Sequence, residues 1–296
     1  MIVIRNFQAE DAEGISALFR EVYGDRYVYS DLYVPTLIEW NNAQSDWCSV
    51  VAVENNCIIG HAALWFHENA PSAELAMMAT HPKARHCGIA TKLGMHLCQV
   101  ARQQQLSTLT IKMVCSHPHS QRVAKNLGFY ATALLRDYVV SPFKSGDRES
   151  VILGVLALQP RPVPRIVVMR GQHLWLSLLS SHFGNTRPSP SIQTAPPLDI
   201  TDISNRIEVT LHQLTHRVID EITHLPLSRL IYLRVRLNSA LAEALPTFYR
   251  AGYQDMGLTP DNKGGWFWLF ERGFRRHNLK LRCPIAQMLQ THSFSA

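Results

Sequence analysis

The chain has 296 residues, 46% of them hydrophobic and 18% charged, enough apolar material for a buried core in one large or two ordinary domains. The 29 Lys and Arg against 23 Asp and Glu leave a formal charge of +6, which attracts anions without choosing among coenzymes, nucleic acids and acidic lipids. No run of Lys and Arg is long enough for a nucleic-acid or membrane patch, no apolar run reaches the roughly 18 residues of a membrane span, and the first residues lack the order of a secretion signal.

Residues 2–7 alternate into a short strand, and residues 8–11 open a helix whose apolar face carries Ile15, Leu18, Phe19 and Val22. Residues 31–42 read as a second, amphipathic helix. Residues 49–54 form a strand, Asn55-Asn56 a tight turn suited to the left-handed conformation, and residues 57–66 the returning strand. A strand at 73–80 leads through a loop at 81–87 to a helix at 88–104. A strand at 109–114, a helix at 120–127, a strand from Phe129 and an apolar strand at 148–158 complete the first half. Strands separated by helices at these lengths predict an α/β chain with a mixed sheet and parallel crossovers.

Composition shifts at Gln159-Pro160-Arg161-Pro162-Val163-Pro164, a proline-rich connector. Residues 171–183 read as an apolar helix, and residues 185–204, rich in Pro, Ser and Thr, as a loop. Strands follow at 206–211, 230–237, 252–258 and 266–271, with helices at 212–225 and 239–251. The basic stretch 272–282 reads as a solvated tail. The expected organisation is a domain at 1–159, a Pro/Ser-rich linker with one helix at 160–205, and a second domain with a basic tail at 206–296. Leu127-Gly128-Phe129 is echoed by Arg250-Ala251-Gly252-Tyr253: each ends a helix and enters a strand. A common helix cap accounts for the echo, and so does a second, degenerate copy of the first half. The six cysteines (Cys48, Cys57, Cys87, Cys98, Cys115 and Cys283) contain no CxxC pair and no zinc-like cluster with His. The expectation is therefore no metal and, from free thiols in apolar runs, a reducing, cytoplasmic setting.

The chemistry concentrates where the strand 73–80 runs through His81-Pro82 into Arg85-His86-Cys87-Gly88-Ile89-Ala90-Thr91. A helix start presents unpaired N–H groups with partial positive charge, a natural cradle for phosphate. Gly88 and Ala90 allow close backbone approach, and Arg85 adds fixed charge. This stretch resembles the pyrophosphate loop Gln/Arg-x-x-Gly-x-Gly/Ala of the GNAT superfamily of acyltransferases. The strand, His-Pro turn, loop and helix come in that family's order, and Leu127-Gly128-Phe129 resembles its helix-ending Leu-Gly-Phe. The likeness in element order extends over roughly residues 1–158.

The resemblance implies the GNAT acyl-CoA N-acyltransferase fold and acetyl-CoA as cosubstrate. Arg85, His86, Cys87, Gly88, Ile89, Ala90 and Thr91 would hold the pyrophosphate, with Ser120 also on the cofactor. Backbone groups of Met78, Ala79 and Thr80 would pair with the pantetheine arm like an added strand. Glu74 falls where many members place a general base, although a solvent-facing strand-end Glu fits as well. The family's usual acid, a Tyr four residues before the Gly of Leu-Gly-Phe, is replaced by Ala124. His117, His119 and Ser120 are the nearby substitutes, although Ser120 fits better as a helix N-cap. Tyr29, Asp31 and Tyr33, with Tyr27 beside them, would line the acceptor site through cation–π and charge contacts, or simply pack. The second half lacks a phosphate loop and would be a degenerate, non-catalytic GNAT-like domain, tandem to the first. Its Trp266 and Trp268 share a strand face as core, interface or acceptor wall. The implied activity is acetyl transfer to a primary amine. A CoA-binding sensor or scaffold without turnover, and an interaction module without ligand, are the alternatives. The acceptor, the acyl chain and the oligomeric state stay open.

Overall fold

A computed structural model describes the chain except residues 67–69, 144–146, 167–172, 191–195, 204–205, 276–277 and 293–296, and the side chain of His292. The start of the helix expected at 171 lies outside the described residues. The chain divides into two compact units, Met1–Tyr130 with Asp137–Gln159, and Ala131–Arg136 with Pro160–Ala296.

In the first unit, β1 (Val3–Asn6) leads through a 3₁₀ turn to α1 (Ala12–Tyr23). Asp11 joins these elements, accepting from the Gln8 backbone N–H (2.8 Å) and from both terminal nitrogens of Arg5 (2.6 and 2.7 Å). Ala12, Ile15, Leu18 and Phe19 repeat at helical spacing and are buried. The single helix expected at 31–42 is instead a 3₁₀ turn, Ser30–Tyr33, followed by α2 (Pro35–Ala43). The cause is Pro35: its ring disfavours helical geometry at Val34, which is extended (φ −121°, ψ 100°). Then come β2 (Trp47–Glu54), β3 (Cys57–Phe66) and β4 (Ser72–Thr80). Asn55 and Asn56 between β2 and β3 both have positive φ (49° and 60°), as a tight hairpin requires. α3 (Ile89–Gln103), β5 (Thr108–Val114), α4 (His119–Asn126), β6 (Tyr130–Val140) and β7 (Arg148–Ala157) complete the unit. The strand order is β1-β2-β3-β4-β5-β7-β6, with β4 and β5 parallel and β1–β2, β2–β3, β3–β4 and β5–β7 antiparallel. This is the expected α/β mixed sheet.

The second unit holds residues 131–136 of β6, β8 (Val163–Pro164), α5 (Leu174–Phe183), β9 (Asn185–Thr186), β10 (Leu198–Ile203), β11 (Arg206–Leu211), α6 (His216–Thr223), β12 (Leu230–Arg236), α7 (Leu241–Arg250), β13 (Gln254–Pro260), β14 (Trp266–Arg272) and α8 (Pro284–His292). Its main sheet runs β6-β13-β14-β12-β11-β10. The run β3-β4-α3-β5-α4-β6-β7 of the first unit is thus repeated, in connection order and strand order, by β10-β11-α6-β12-α7-β13-β14. The parallel pair recurs as β11 and β12. The helix ends match too. Gly128 (φ 86°) and Gly252 (φ 84°) are left-handed, and the next N–H returns to the carbonyl five residues back: Phe129 to Ala124 (2.9 Å), Tyr253 to Phe248 (3.0 Å).

Several expectations for this half are corrected. Residues 185–204 are not all loop, because β10 pairs with β11 from Leu198 opposite Leu211 to Ile203 opposite Arg206. β10 is an edge strand exposed on both faces, so it carries no alternating apolar signal. The helix expected at 212–225 is only α6, because the Thr215 hydroxyl caps it by accepting from Val218 N–H (3.3 Å). The basic stretch is not simply a solvated tail. Arg272 is buried and donates to the carbonyls of Thr223 (3.2 Å), Ala251 (2.9 Å) and Leu225 (2.7 Å), satisfying helix-end acceptors. Beyond it, α8 buries Ile285, Ala286 and Leu289. Trp266 and Trp268 are core residues, 1% and 0% exposed.

Candidate active site

β4 and β5 pair over four residues only, from Ser72 opposite Thr108 to Leu75 opposite Ile111. Beyond that point β5 continues beside β7 as far as Val114 opposite Val151, and β4 continues beside β3. Among the described residues, the backbone groups of 76–80 on the β5 side therefore have no strand partner. The opening is set by a bulge. Between His61 opposite Ala79 and Ala63 opposite Ala76, β4 carries one residue more than β3, and Met77 takes φ 53°. The extra carbonyl, on Met77, is bonded by the buried His61 Nδ1 at 2.8 Å. A carbonyl can only accept, so Nδ1 carries the proton.

Burial drives the His61 pKa down from 6.5 to about 4, against the opposing Met77 bond and Asp11 charge. Above about pH 6.5 neither folded nor unfolded chain protonates this residue, and it contributes no pH dependence. Between about 6.5 and about 4 only the unfolded chain takes the proton, so stability falls as pH falls, by about 3 kcal/mol over the window. Urea midpoints across this range should show that slope. His61→Gln, which keeps a donor for Met77, should flatten it; an unchanged slope would assign the effect to other groups.

Past β4, the His81 Nδ1 accepts from Lys83 N–H (3.2 Å) in a 3₁₀ turn, and the chain reaches the loop before α3. His86 (φ 68°) and Gly88 (φ 72°) are left-handed, Gly88 standing as the N-cap residue of α3. The first bond of the helix runs from Lys92 N–H to Gly88 carbonyl (3.0 Å), which leaves the N–H groups of Ile89, Ala90 and Thr91 without helical partners.

A cavity of about 850 Å³ lies within the first unit, walled by the end of α1, the diverging β4 and β5, the loop, α3, α4, and the adjoining ends of β6 and β7. Of the residues singled out from sequence, Glu74, Met78, Thr80, Arg85, His86, Gly88, Ile89, Ala90, Thr91, His117, Ser120 and Tyr29 line it. Ala79, Cys87, Asp31 and Tyr33 do not. Ala79 is buried in the sheet, and Cys87 is exposed with its thiol directed to the Arg85 carbonyl (3.6 Å). Asp31 accepts from Asn41 (3.4 Å), and Tyr33 stacks under Arg20 and accepts from Tyr27 N–H (2.8 Å).

Glu74 is not the solvent-facing residue that the sequence also allowed. It is 4% exposed, and its Oε2 accepts from Lys112 Nζ at 2.7 Å, just past the last β4–β5 pair. Lys112 was missed: it is one charge in an apolar strand, and only the fold brings it beside Glu74. Burial alone would lower its pKa, but Glu74 outweighs that and the net shift is upward, so the ammonium stays charged. Tyr23, also missed, lines the cavity and donates to the Met78 carbonyl at 3.2 Å. Burial pushes its pKa to about 12, so it remains protonated. Burial also holds the phenols of Tyr27 and Tyr29 above their ordinary value. On α4, Ala124 is 1% exposed and faces the core, whereas Ser120 and Val123 face the cavity. Ser120 is not the N-cap, because the helix begins one residue earlier with Pro118 in that position. Its hydroxyl is buried and without a partner. The His117 and His119 rings lie 5.1 Å apart and His119 is 6.1 Å from His86, and burial lowers the His117 pKa.

Comparison with known proteins bears on this geometry. No curated protein matches the chain. Similar solved structures include the ribosomal-protein-S18-alanine N-acetyltransferase from Escherichia coli, with 17% identity, 54% of this chain and 95% of that one covered, and a TM-score of 0.45. Another is a putative acetyltransferase from Salmonella typhimurium with its cofactor acetyl-CoA (21%, 55% and 98%, 0.45). A third is a phosphinothricin acetyltransferase from Sinorhizobium meliloti in complex with acetyl-CoA (19%, 53% and 89%, 0.46). The acetyltransferase (GNAT) family model matches residues 13–129, which span the bulged strand, the phosphate-type loop, α3, β5 and α4. Residues 13–129 are a GNAT acetyltransferase domain.

Proposed function

We propose that the first unit transfers the acetyl group of acetyl-CoA to a primary amine. The observation that carries this reading is the parting of β4 from β5 directly upstream of an uncapped helix start, with one cavity joining the two. An extended arm bearing amides can add to the free edge of residues 76–80, and its pyrophosphate then meets the N–H groups of Ile89, Ala90 and Thr91. Arg85 and His86 supply charge and donors there, and Ser120 offers its unpaired hydroxyl to the arm. The thioester end falls toward the vertex of the opening, beside Glu74.

Cofactor chemistry leaves the protein to orient and to move protons. The amine nitrogen bonds to the thioester carbon and the C–S bond breaks. An acceptor ammonium gives up two protons; one ends on the CoA sulfur and one is released. Glu74 is the buried carboxylate at that vertex for receiving a proton. Tyr23 and His117 are donors in the same cavity. Ala124, buried where the resemblance would place the acid, favours a second reading: a CoA sensor without turnover.

Calorimetric titration with acetyl-CoA, followed by thiol release with amines, tests both. Saturable binding with amine-dependent thiol release supports the transferase. Binding with no release by any amine supports the sensor. Absence of binding overturns both. The second unit has the repeated topology without a glycine-containing phosphate loop, and we assign it no catalysis.

A further inference from the structure

We propose that the acceptor is a zwitterionic amino acid, its carboxylate received by Lys112 and its ammonium by Glu74; this rests on the transferase reading above. Lys112 is a three-donor cation, and one donor is used on Glu74 at 2.7 Å. Among the described residues its nitrogen has no other hydrogen-bond partner. The face of Tyr138 lies 5.5 Å away, attractive to the charge but supplying no acceptor atom. The Lys112 side chain keeps 27% of its surface open against 6% for Glu74, and both line the cavity at the vertex of the strand opening. Among the described residues Glu74 likewise uses one oxygen only, and the Tyr29 hydroxyl, whose charge interactions include Glu74 and Lys112, makes no hydrogen bond. The open atoms are thus two N–H donors on a cation, one oxygen on an anion and a phenol, facing one space.

A pair of opposite charges with unused valences fits a ligand of the same pattern reversed. A simple amine would satisfy Glu74 and leave the ammonium desolvated. A polyamine or another polycation would bring a second positive charge against Lys112. An α-amino acid answers both charges at once, and its amine arrives beside the carboxylate that can take its proton. A role confined to bracing β4 against β5 uses the Lys112–Glu74 contact but gives no reason for the remaining donors to face the cavity.

The test is amine-dependent thiol release with the twenty amino acids, their carboxamides, the corresponding decarboxylated amines and spermidine, on wild type, Lys112→Met and Lys112→Arg. The expected result is at least tenfold higher kcat/KM for one or more amino acids than for the matched carboxamide. Lys112→Met should erase that preference and leave acetyl-CoA binding in place, and Lys112→Arg should keep it. Titration of the CoA-loaded protein with the best amino acid reads the same site without turnover and separates the two ideas. Equal use of amides, preference for spermidine, or a Lys112→Met loss shared by all acceptors overturns the inference while the transferase stands. Thiol release by no amine, together with carboxylate-dependent binding lost in Lys112→Met, overturns the transferase and keeps the ligand. Neither release nor binding overturns both.

Discussion

Replacing Gly88 by Glu is expected to weaken acetyl-CoA binding at least a hundredfold, about 2.8 kcal/mol, with the fold retained. Gly88 has φ 72°, and a Cβ built there meets no atom within 4 Å. A side chain therefore has room, and its cost to folding is the left-handed backbone, about 1–2 kcal/mol. The cost to binding is of another kind. The new carboxylate enters the space in front of the Ile89, Ala90 and Thr91 N–H groups, repels the pyrophosphate and competes for the same donors. Gly88→Asn separates the two effects, since Asn tolerates the left-handed conformation and adds no charge. It should bind within about tenfold of wild type (about 1.4 kcal/mol). Calorimetry on both variants reads the difference. Full affinity in Gly88→Glu would move the anion away from α3.

The largest stability effect is expected at Glu271, in the second unit. Glu271 is 0% exposed, and its carboxylate accepts from the Arg136 guanidinium and from the Arg136 backbone N–H (3.2 Å). Arg136 is 2% exposed, donates to the Leu289 carbonyl of α8 (2.6 Å), and lies against the ring of Phe274. Glu271→Gln removes the carboxylate charge that faces a desolvated cation. A loss of about 3–5 kcal/mol is expected, because an uncompensated buried charge is far costlier than the intact pair is stabilising. Hydrogen exchange over residues 131–136 and 266–272 should report the opening. Arg136→Met with Glu271→Leu should recover most of the loss, since an apolar pair of similar volume avoids both desolvation costs. If the double variant is as weak as the single one, packing rather than charge sets the effect.

The parts legible in sequence were those with strong local causes. The paired Asn turn, the apolar face of α1, the left-handed glycines after α4 and α7, and the loop 85–90 each follow from one or two residues acting on their own backbone. The parts that were missed depend on partners distant in sequence. β10 is a strand only because β11 supplies its ladder, and its composition is that of a loop. α8 is buried by the rest of the second unit, not by a pattern strong enough to stand out after a basic stretch. Lys112 marks the limit for the site. Its position in an apolar strand was visible, yet its meaning required Glu74, 38 residues earlier, to be brought to the same vertex. Val34 is the exception, because its place before Pro35 is visible in the sequence and already argues against a continuous helix over 31–42.

The two parallel strand pairs differ in one respect that sets how many ligands the chain can carry. β4 and β5 part after four residue pairs, whereas β11 and β12 stay joined over six, from Arg206 opposite Leu230 to Leu211 opposite Val235. A strand already bonded along its length has no edge to lend to an extended arm. The repeat of the topology therefore does not repeat the receptor, and a titration with acetyl-CoA should saturate at a stoichiometry of one per chain.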